Sequence, residues 1–325
     1  MPPLIEDLLR RRLLVVVGKG GVGKTTVACA LGLAAAHLGK RVLIAEVDGI
    51  GRAAYLLGVK PGPIGEARPV RNNLSVMSVE GSAALMEYLQ IIVPIKRVLQ
   101  MVFSSRIYQY FVAAAPGLKE LMTIGKIWFE AERIDEESGE PLWDLVVLDA
   151  PATGHSLQYL GMPRAAHEVF KAGLVGRESQ RLIDLLTDPE RCAVNLVTTA
   201  EEMPVNETLE MYGRLCGDLA MPLGWLFVNR VHRVGWKSQD LETVAACASQ
   251  VRTKAEKQLL QETISRAREE EGWAAINQTY LDRLRQAIDL PLLEIPFLFA
   301  EEFNAGEVHQ IAHMIRDAGS TGRKS

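Results

Sequence analysis

The sequence predicts an α/β fold, a mostly parallel twisted sheet flanked by helices, and three features predict it. The apolar run Leu13–Val17 leads into a glycine-rich turn, and the turn opens a helical pattern of small residues from Thr26 to Leu38. Two further runs, Arg41–Val47 and Leu145–Leu148, each deliver a carboxylate at their end, Asp48 and Asp149. Strand patterns recur at Leu74–Val79, Ala193–Thr199 and Trp225–Asn229, with helical stretches between them. Unbroken apolar runs belong to strands covered on both faces, and in open parallel sheets ligands collect at the carboxyl ends of the strands.

The turn reads Gly18-Lys19-Gly20-Gly21-Val22-Gly23-Lys24-Thr25-Thr26 and meets the pattern G-x-x-x-x-G-K-[ST] with a strand before it and a helix after it. Glycines let the backbone wrap a phosphate chain, N–H groups point inward, and the helix N-terminus adds a positive dipole end. The loop is therefore a P-loop, and the fold class is that of a P-loop NTPase. Lys24 is expected to reach the β and γ phosphates and the Thr25 hydroxyl to hold Mg²⁺, so ATP and Mg²⁺ are the expected cofactors. Asp149, at the tip of the Leu145–Leu148 run, has the position of a carboxylate that binds Mg²⁺ directly or through water. Asp48 is placed to orient the water that attacks a γ-phosphate or to order the Mg²⁺ shell; a solvated turn aspartate is the plainer alternative.

Composition narrows the class. A chain of 325 residues with 48% hydrophobic and 23% charged residues is ordinary for a globular protein with a sizeable core. A net charge of −4 gives no general basic field, which argues against nucleic acid as a partner. The richest apolar stretch, Ile91 to Val112, is interrupted by Lys96, Arg97 and Arg106, so no stable membrane insertion is expected. The basic N-terminal cluster precedes an apolar run too short for a signal-peptide core, and a cytoplasmic location is the expectation. Cys29, Cys192, Cys216 and Cys247 are well separated, with no C-x-x-C, and read as reduced, mostly buried thiols.

In chain order, the nucleotide-binding domain is expected over residues 1–80 and 133–318, a helical insertion over 81–132, and a flexible tail over 319–325. Pro61 to Arg71, rich in proline, glycine and charge, reads as a loop. Ser82 to Glu132 has apolar residues at helical spacing, and Met86, Met101 and Met122 within it either fill the insertion's own core or line a groove for an apolar partner helix. Ser238 to Gln286 is charged and helical, with its charge clusters on solvated faces.

Lys19, directly after the first glycine, gives K-G-G-x-G-K-T, which resembles the deviant Walker A group of dimeric ATPases. Ala115-Pro116-Gly117-Leu118-Lys119-Glu120 is similar to a P-G-x-x-E segment, and Asp149-Ala150-Pro151-Ala152-Thr153-Gly154-His155 to a D-T-A-P-T-G-H switch, with the proline one place earlier here. Glu201 to Thr208 resembles an E-x-x-x-x-x-E-T stretch, Val228-Asn229 a V-N-Q strand end, and Leu290 to Phe297 a last strand and base-side loop. Together these resemble a single-half member of the arsenical-pump and tail-anchored-protein-targeting ATPases. The resemblance implies that Lys19 reaches the partner chain's nucleotide, that Glu201 contacts nucleotide, that Asn229 reads adenine, and that Pro296 and Phe297 pack beside it. Glu201 as an N-terminal helix acid and Asn229 as a turn residue stay open, and His155 reads as structural rather than as a base. Where those relatives carry P-A-H after the aspartate, this chain has Gly49-Ile50-Gly51-Arg52. With one P-loop in the chain, two sites imply a homodimer or a heterodimer with a paralogous ATPase.

The expected activity is Mg-ATP hydrolysis to ADP and phosphate, with Lys19, Lys24 and Asp48 as catalytic residues, driving a dimer cycle that handles a membrane-protein or transporter client. An ATP-gated scaffold with little hydrolysis is the alternative from another class.

Overall fold

A computed structural model describes residues 5–92, 117–247, 251 and 253–318. Its strands are β1 (Leu13–Gly18), β2 (Val42–Val47), β3 (Arg68–Arg71), β4 (Leu74–Val79), β5 (Leu145–Asp149), β6 (Cys192–Thr199), β7 (Leu223–Val231) and β8 (Leu292–Pro296). They form one sheet in the order β3-β4-β2-β5-β1-β6-β7-β8. Every neighbouring pair is parallel except β3 with β4. β1 thus lies between β5 and β6, and the ends of β2, β5, β1 and β6 stand side by side.

The helices are α1 (Ile5–Leu9), α2 (Lys24–His37), α3 (Arg52–Leu56), α4 (Gly81–Ile92), α5 (Leu118–Glu132), α6 (Thr153–Val169), α7 (Gly173–Thr187), α8 (Glu202–Gly217), α9 (Ser238–Cys247), α10 (Lys254–Ala287) and α11 (Ala305–Ala318). Successive strand residues point to opposite faces, so each central strand feeds two cores. Leu13, Val15, Val17, Val146 and Leu148 pack under Ile124 and Ile127 of α5, Leu160 of α6 and Leu185 of α7. Leu14, Val16 and Val147 pack on the other side against Ala28 and Leu31 of α2, Leu9 of α1 and Ile311 and Ile315 of α11. Each fully buried Leu, Ile or Val contributes about 1.5–3 kcal/mol, which holds both layers on the sheet.

Within the described residues the strand and helix patterns of the sequence are recovered, with one difference at Pro61 to Arg71. Its last four residues form β3, an antiparallel edge strand whose residues are largely exposed. An edge strand with no buried face leaves no apolar pattern to read, and Pro69 is tolerated there because an edge has unpaired N–H positions.

The stretch 81–132 is helical at both ends, in α4 and α5; residues 93–116, with Met101 and the start of the A-P-G segment, lie outside the described residues. Leu121, Ile124, Ile127 and Ala131 of α5 belong to the core beneath β1 and β5. The long α10 starts from a capping box between Thr253 and Glu256, with the Glu256 N–H donating to Thr253 Oγ1 at 3.2 Å. Cys29 and Cys192 are buried free thiols and Cys216 an exposed one. Among the described residues no helix is long and apolar enough to cross a membrane. The tail 319–325 lies outside the described residues.

Candidate functional site

The P-loop spans the end of β1 and the first turn of α2. Gly18 pairs in register with Val197 of β6, and a Cβ there would stand 2.1 Å from the Val197 carbonyl oxygen. Only glycine lets the two strands approach this closely. Gly23 caps α2 with φ 97°, and a Cβ on it would meet Asn229 Nδ2 at 2.2 Å. That amide nitrogen donates to the Val22 carbonyl at 2.9 Å, so Asn229, buried at the end of β7, clamps the loop from the side. One of the two N–H groups of this amide, expected to read a base, goes to the loop. Gly20 lies beside Ala152, a Cβ there coming 3.8 Å from the alanine methyl, which sets the loop against the segment that follows β5.

Lys24 opens α2, and its ammonium donates to the Lys19 carbonyl at 3.1 Å. Burial lowers its pKa, opposed by Asp149, while Arg52 adds to the lowering. The Lys19 ammonium pairs with Glu207 of α8 at 2.6 Å. Thr25 and Thr26 follow in the first turn of α2, both half-buried.

Asp149 ends β5 and is only 4% exposed. Its Oδ1 is buried without a hydrogen-bond partner, and the Thr25 hydroxyl donates to its carboxyl group. Burial pushes the carboxyl up to about 6; Thr25 and Lys24 pull it down, Glu46 adds to the rise, and Arg52 opposes it. A buried carboxylate oxygen without a partner is costly on its own, and a hard cation relieves that cost. Among the described residues no group of three His, Cys, Asp or Glu could hold a metal by itself. Mg²⁺ takes one or two protein oxygens and completes its shell with phosphate and water. The donor set of Thr25 and Asp149 therefore fits Mg²⁺.

Two residues that the sequence reading passed over complete this corner. Glu46, on β2 and in register with Asp149, is 4% exposed. Its carboxylate accepts from the backbone N–H groups of Arg52 and Ala53, each at 3.1 Å, and so caps the start of α3. A charged residue inside the run Val42–Val47 was the available signal. Asp48 follows two residues later with φ 52°, exposed, its N–H donating to the Val79 carbonyl at 3.0 Å. Its carboxylate accepts a short hydrogen bond from the Tyr159 hydroxyl of α6. Burial first and Asp48 second raise the tyrosine's pKa. Nothing in the sequence pairs Tyr159 with Asp48; the contact joins α6 to the residue that follows β2.

The remaining candidates lie around this centre. Glu201 is the exposed N-cap residue of α8 and makes no side-chain cap hydrogen bond. Gly154 and His155 are exposed in the first turn of α6. Pro296 ends β8, and the Phe297 N–H donates to the Val231 carbonyl at 2.9 Å. Phe297 stacks on His232 with centroids 4.7 Å apart, and His232 stacks in turn on Trp273 of α10 at 5.9 Å. His232 and Trp273 are distant in sequence from Phe297, which hid this aromatic array. Lys24, Thr25, Asp48, Asp149 and Asn229 thus gather at the carboxyl ends of β1, β2, β5 and β7, with Pro296 and Phe297 at the edge beyond them.

Similarity to known proteins points the same way. The sequence model of the anion-transporting ATPase family matches residues 11–178. ATPase BagA of Mycobacterium tuberculosis is 31% identical over 95% of this chain and 93% of its own length. The arsenical pump-driving ATPase of Escherichia coli is 30% identical over 70% of this chain and 36% of its own. ATPase get3 of Schizosaccharomyces japonicus is 28% identical over 54% of this chain and 53% of its own. With a P-loop between β1 and α2, a buried carboxylate at the end of β5, and a family match over more than half its length, the chain belongs to the anion-transporting ATPase family.

Proposed function

We propose that this chain hydrolyses Mg-ATP to ADP and phosphate and uses the cycle to change the shape of a two-chain assembly. The observation that carries this is Asp149, whose buried Oδ1 lacks a partner beside the Thr25 hydroxyl and the Lys24 ammonium. Mg²⁺ held there by Thr25 and Asp149 would neutralise phosphate charge. The P-loop N–H groups and Lys24 bind and orient the β and γ phosphates. Asp48 orients the attacking water, and the Tyr159 hydroxyl fixes the carboxylate that does so. Asn229 holds the loop in shape, and Phe297 offers an apolar face to a base. Glu201, at the start of α8, contacts the nucleotide.

Lys19 completes the site of a second chain, either a copy of this one or a paralogous ATPase. The stretch 81–132 handles a client, a membrane-protein or transporter segment, in a cytoplasmic setting. Support for this part comes from the loop sequence and from the relatives' names, one of which is an arsenical pump-driving ATPase.

Phosphate release by the purified full chain tests the reading. Saturating ATP with Mg²⁺ should give turnover that chelation abolishes, and Lys24→Ala should lower it by about 100-fold or more. Asp48→Asn should lose turnover while still binding ATP. A wild-type chain that binds Mg-ATP and releases no phosphate would overturn hydrolysis in favour of an ATP-gated scaffold. The pairing of Lys19 with Glu207 is the observation that favours that second reading.

A further inference from the structure

We propose that Arg52 is a catalytic residue supplied within the chain, its guanidinium contacting the γ-phosphate oxygens as the phosphoryl group transfers. This rests on the hydrolysis proposed above. Arg52 is the last residue of the Gly49-Ile50-Gly51-Arg52 run and the first of α3, four positions past Asp48. Its backbone position is over-determined. The Arg52 N–H donates to Glu46 Oε1 and the Ala53 N–H to Glu46 Oε2, both at 3.1 Å. Glu46 is in turn in register with Asp149.

The glycines make this clamp possible. A Cβ at Gly49 would stand 1.9 Å from Glu46 Oε1, and Gly51 has φ 80° with its Cβ position 2.3 Å from Pro61. A side chain at either place would lift the loop off Glu46. The run therefore wraps tightly over a buried carboxylate next to the Mg²⁺ donor set, and it presents one long cation from a fixed stem.

That cation is uncommitted. Arg52 is exposed, and among the described residues its guanidinium forms neither a salt bridge nor a side-chain hydrogen bond, unlike Lys19, which is held by Glu207. Its stem is fixed at the corner where Glu46 and Asp149 lie side by side on β2 and β5. An arginine with an anchored backbone and a free planar fork matches the equatorial oxygens of a phosphoryl group. In the reaction a water oxygen bonds to the γ-phosphorus, and the bond to the β–γ bridging oxygen breaks with its electron pair left on ADP. The water proton ends on phosphate. Charge on the transferring oxygens is where the guanidinium acts.

The test compares the full-length wild type with Arg52→Ala and Arg52→Lys. Arg52→Ala should lower kcat about 100-fold while KM changes by less than about threefold, because the contact forms in the transition state. Adding aluminium fluoride to Mg-ADP, a mimic of the transferring phosphoryl group, should tighten retention of nucleotide by the wild type and fail to do so with Arg52→Ala. Arg52→Lys, a point charge without the fork, should keep part of both effects. The two backbone bonds to Glu46 survive the change, so thermal melting checks that Arg52→Ala remains folded, and Arg52→Lys carries the test if it does not. A wild-type kcat and an intact fluoride effect in Arg52→Ala would overturn this inference alone, as would a raised KM with unchanged kcat. A wild type without turnover would overturn the proposed hydrolysis and this inference with it.

Discussion

At Asp149, stability and ligand chemistry pull in opposite directions. Its carboxyl is held near 6, against an ordinary 3.8, mainly because it is buried. A folded-state pKa above the unfolded one means that stability is full below about 4 and is lost as pH rises through about 6; the difference corresponds to about 3 kcal/mol at pH 8. Asp149→Asn keeps the shape, removes the buried charge, and should raise the melting temperature of the nucleotide-free protein at pH 8 while changing little at pH 4. The same variant should lose the extra stabilisation that Mg²⁺ adds to ATP. Thermal melting at the two pH values, with and without Mg-ATP, checks both outcomes. A lower melting temperature at pH 8 would mean that the carboxylate is structurally paired rather than waiting for a cation. Asn229 teaches a related lesson, since its amide holds Val22 and the loop owes its shape to a residue about 200 positions away.

At the scale of elements, the contact between the P-loop and α8 decides how Lys19 is used. Lys19 and Glu207 meet at 2.6 Å with side chains 28% and 32% exposed. A pair this open to water contributes less than about 1 kcal/mol, so Lys19 exchanges Glu207 for a stronger anion at little cost. If a partner chain's nucleotide is that anion, Glu207→Gln should leave the melting temperature within about a degree. It should also increase the dimer fraction seen by sedimentation in Mg-ATP. An unchanged dimer fraction in every nucleotide state would count against the exchange. α6 plays the matching part on the other side, since it begins right after the segment 149–152 and carries Tyr159, which holds Asp48. A shift of α6 would therefore be felt at the Asp48 carboxylate.

Across the whole molecule, a histidine cluster lies at the end of α2 away from the P-loop, where α2 meets the end of β3 and α11. His37 stacks on His309 and His313 at 5.7 and 5.6 Å, and Arg71 lies 2.8 Å from His309 Nε2. Arg316 faces His37 as well. Burial comes first in lowering the pKa values of His37 and His309; the neighbouring positive groups add to it. The folded protein then binds fewer protons here than the unfolded chain, so this contribution is full above about 6.5 and is lost as pH falls below it. Taken alone, this contribution lowers the melting temperature from pH 7 to pH 5, against the opposite change that Asp149 makes over the same range. His309→Gln, which keeps an acceptor for Arg71, should flatten that drop without lowering stability at pH 8. Equal slopes for wild type and His309→Gln would show that the acid sensitivity arises elsewhere.

The sequence by itself determined the α/β class, the strands that are buried on both faces, the P-loop and the two carboxylates at strand ends. These are local signals: an apolar run, a glycine turn and an acid at fixed spacing each carry their meaning within a few residues. Only the tertiary structure decided the rest. It turned Glu46 from a charge within a strand into the clamp under Arg52, joined Tyr159 to Asp48, gave Lys19 to Glu207, and set Phe297 against His232 and Trp273. Strand order brings β2 next to β5 across about 100 residues of chain, and no local pattern encodes that neighbourhood. The chemistry of single residues was legible in the sequence; which of them would share a site depended on how the sheet is wound.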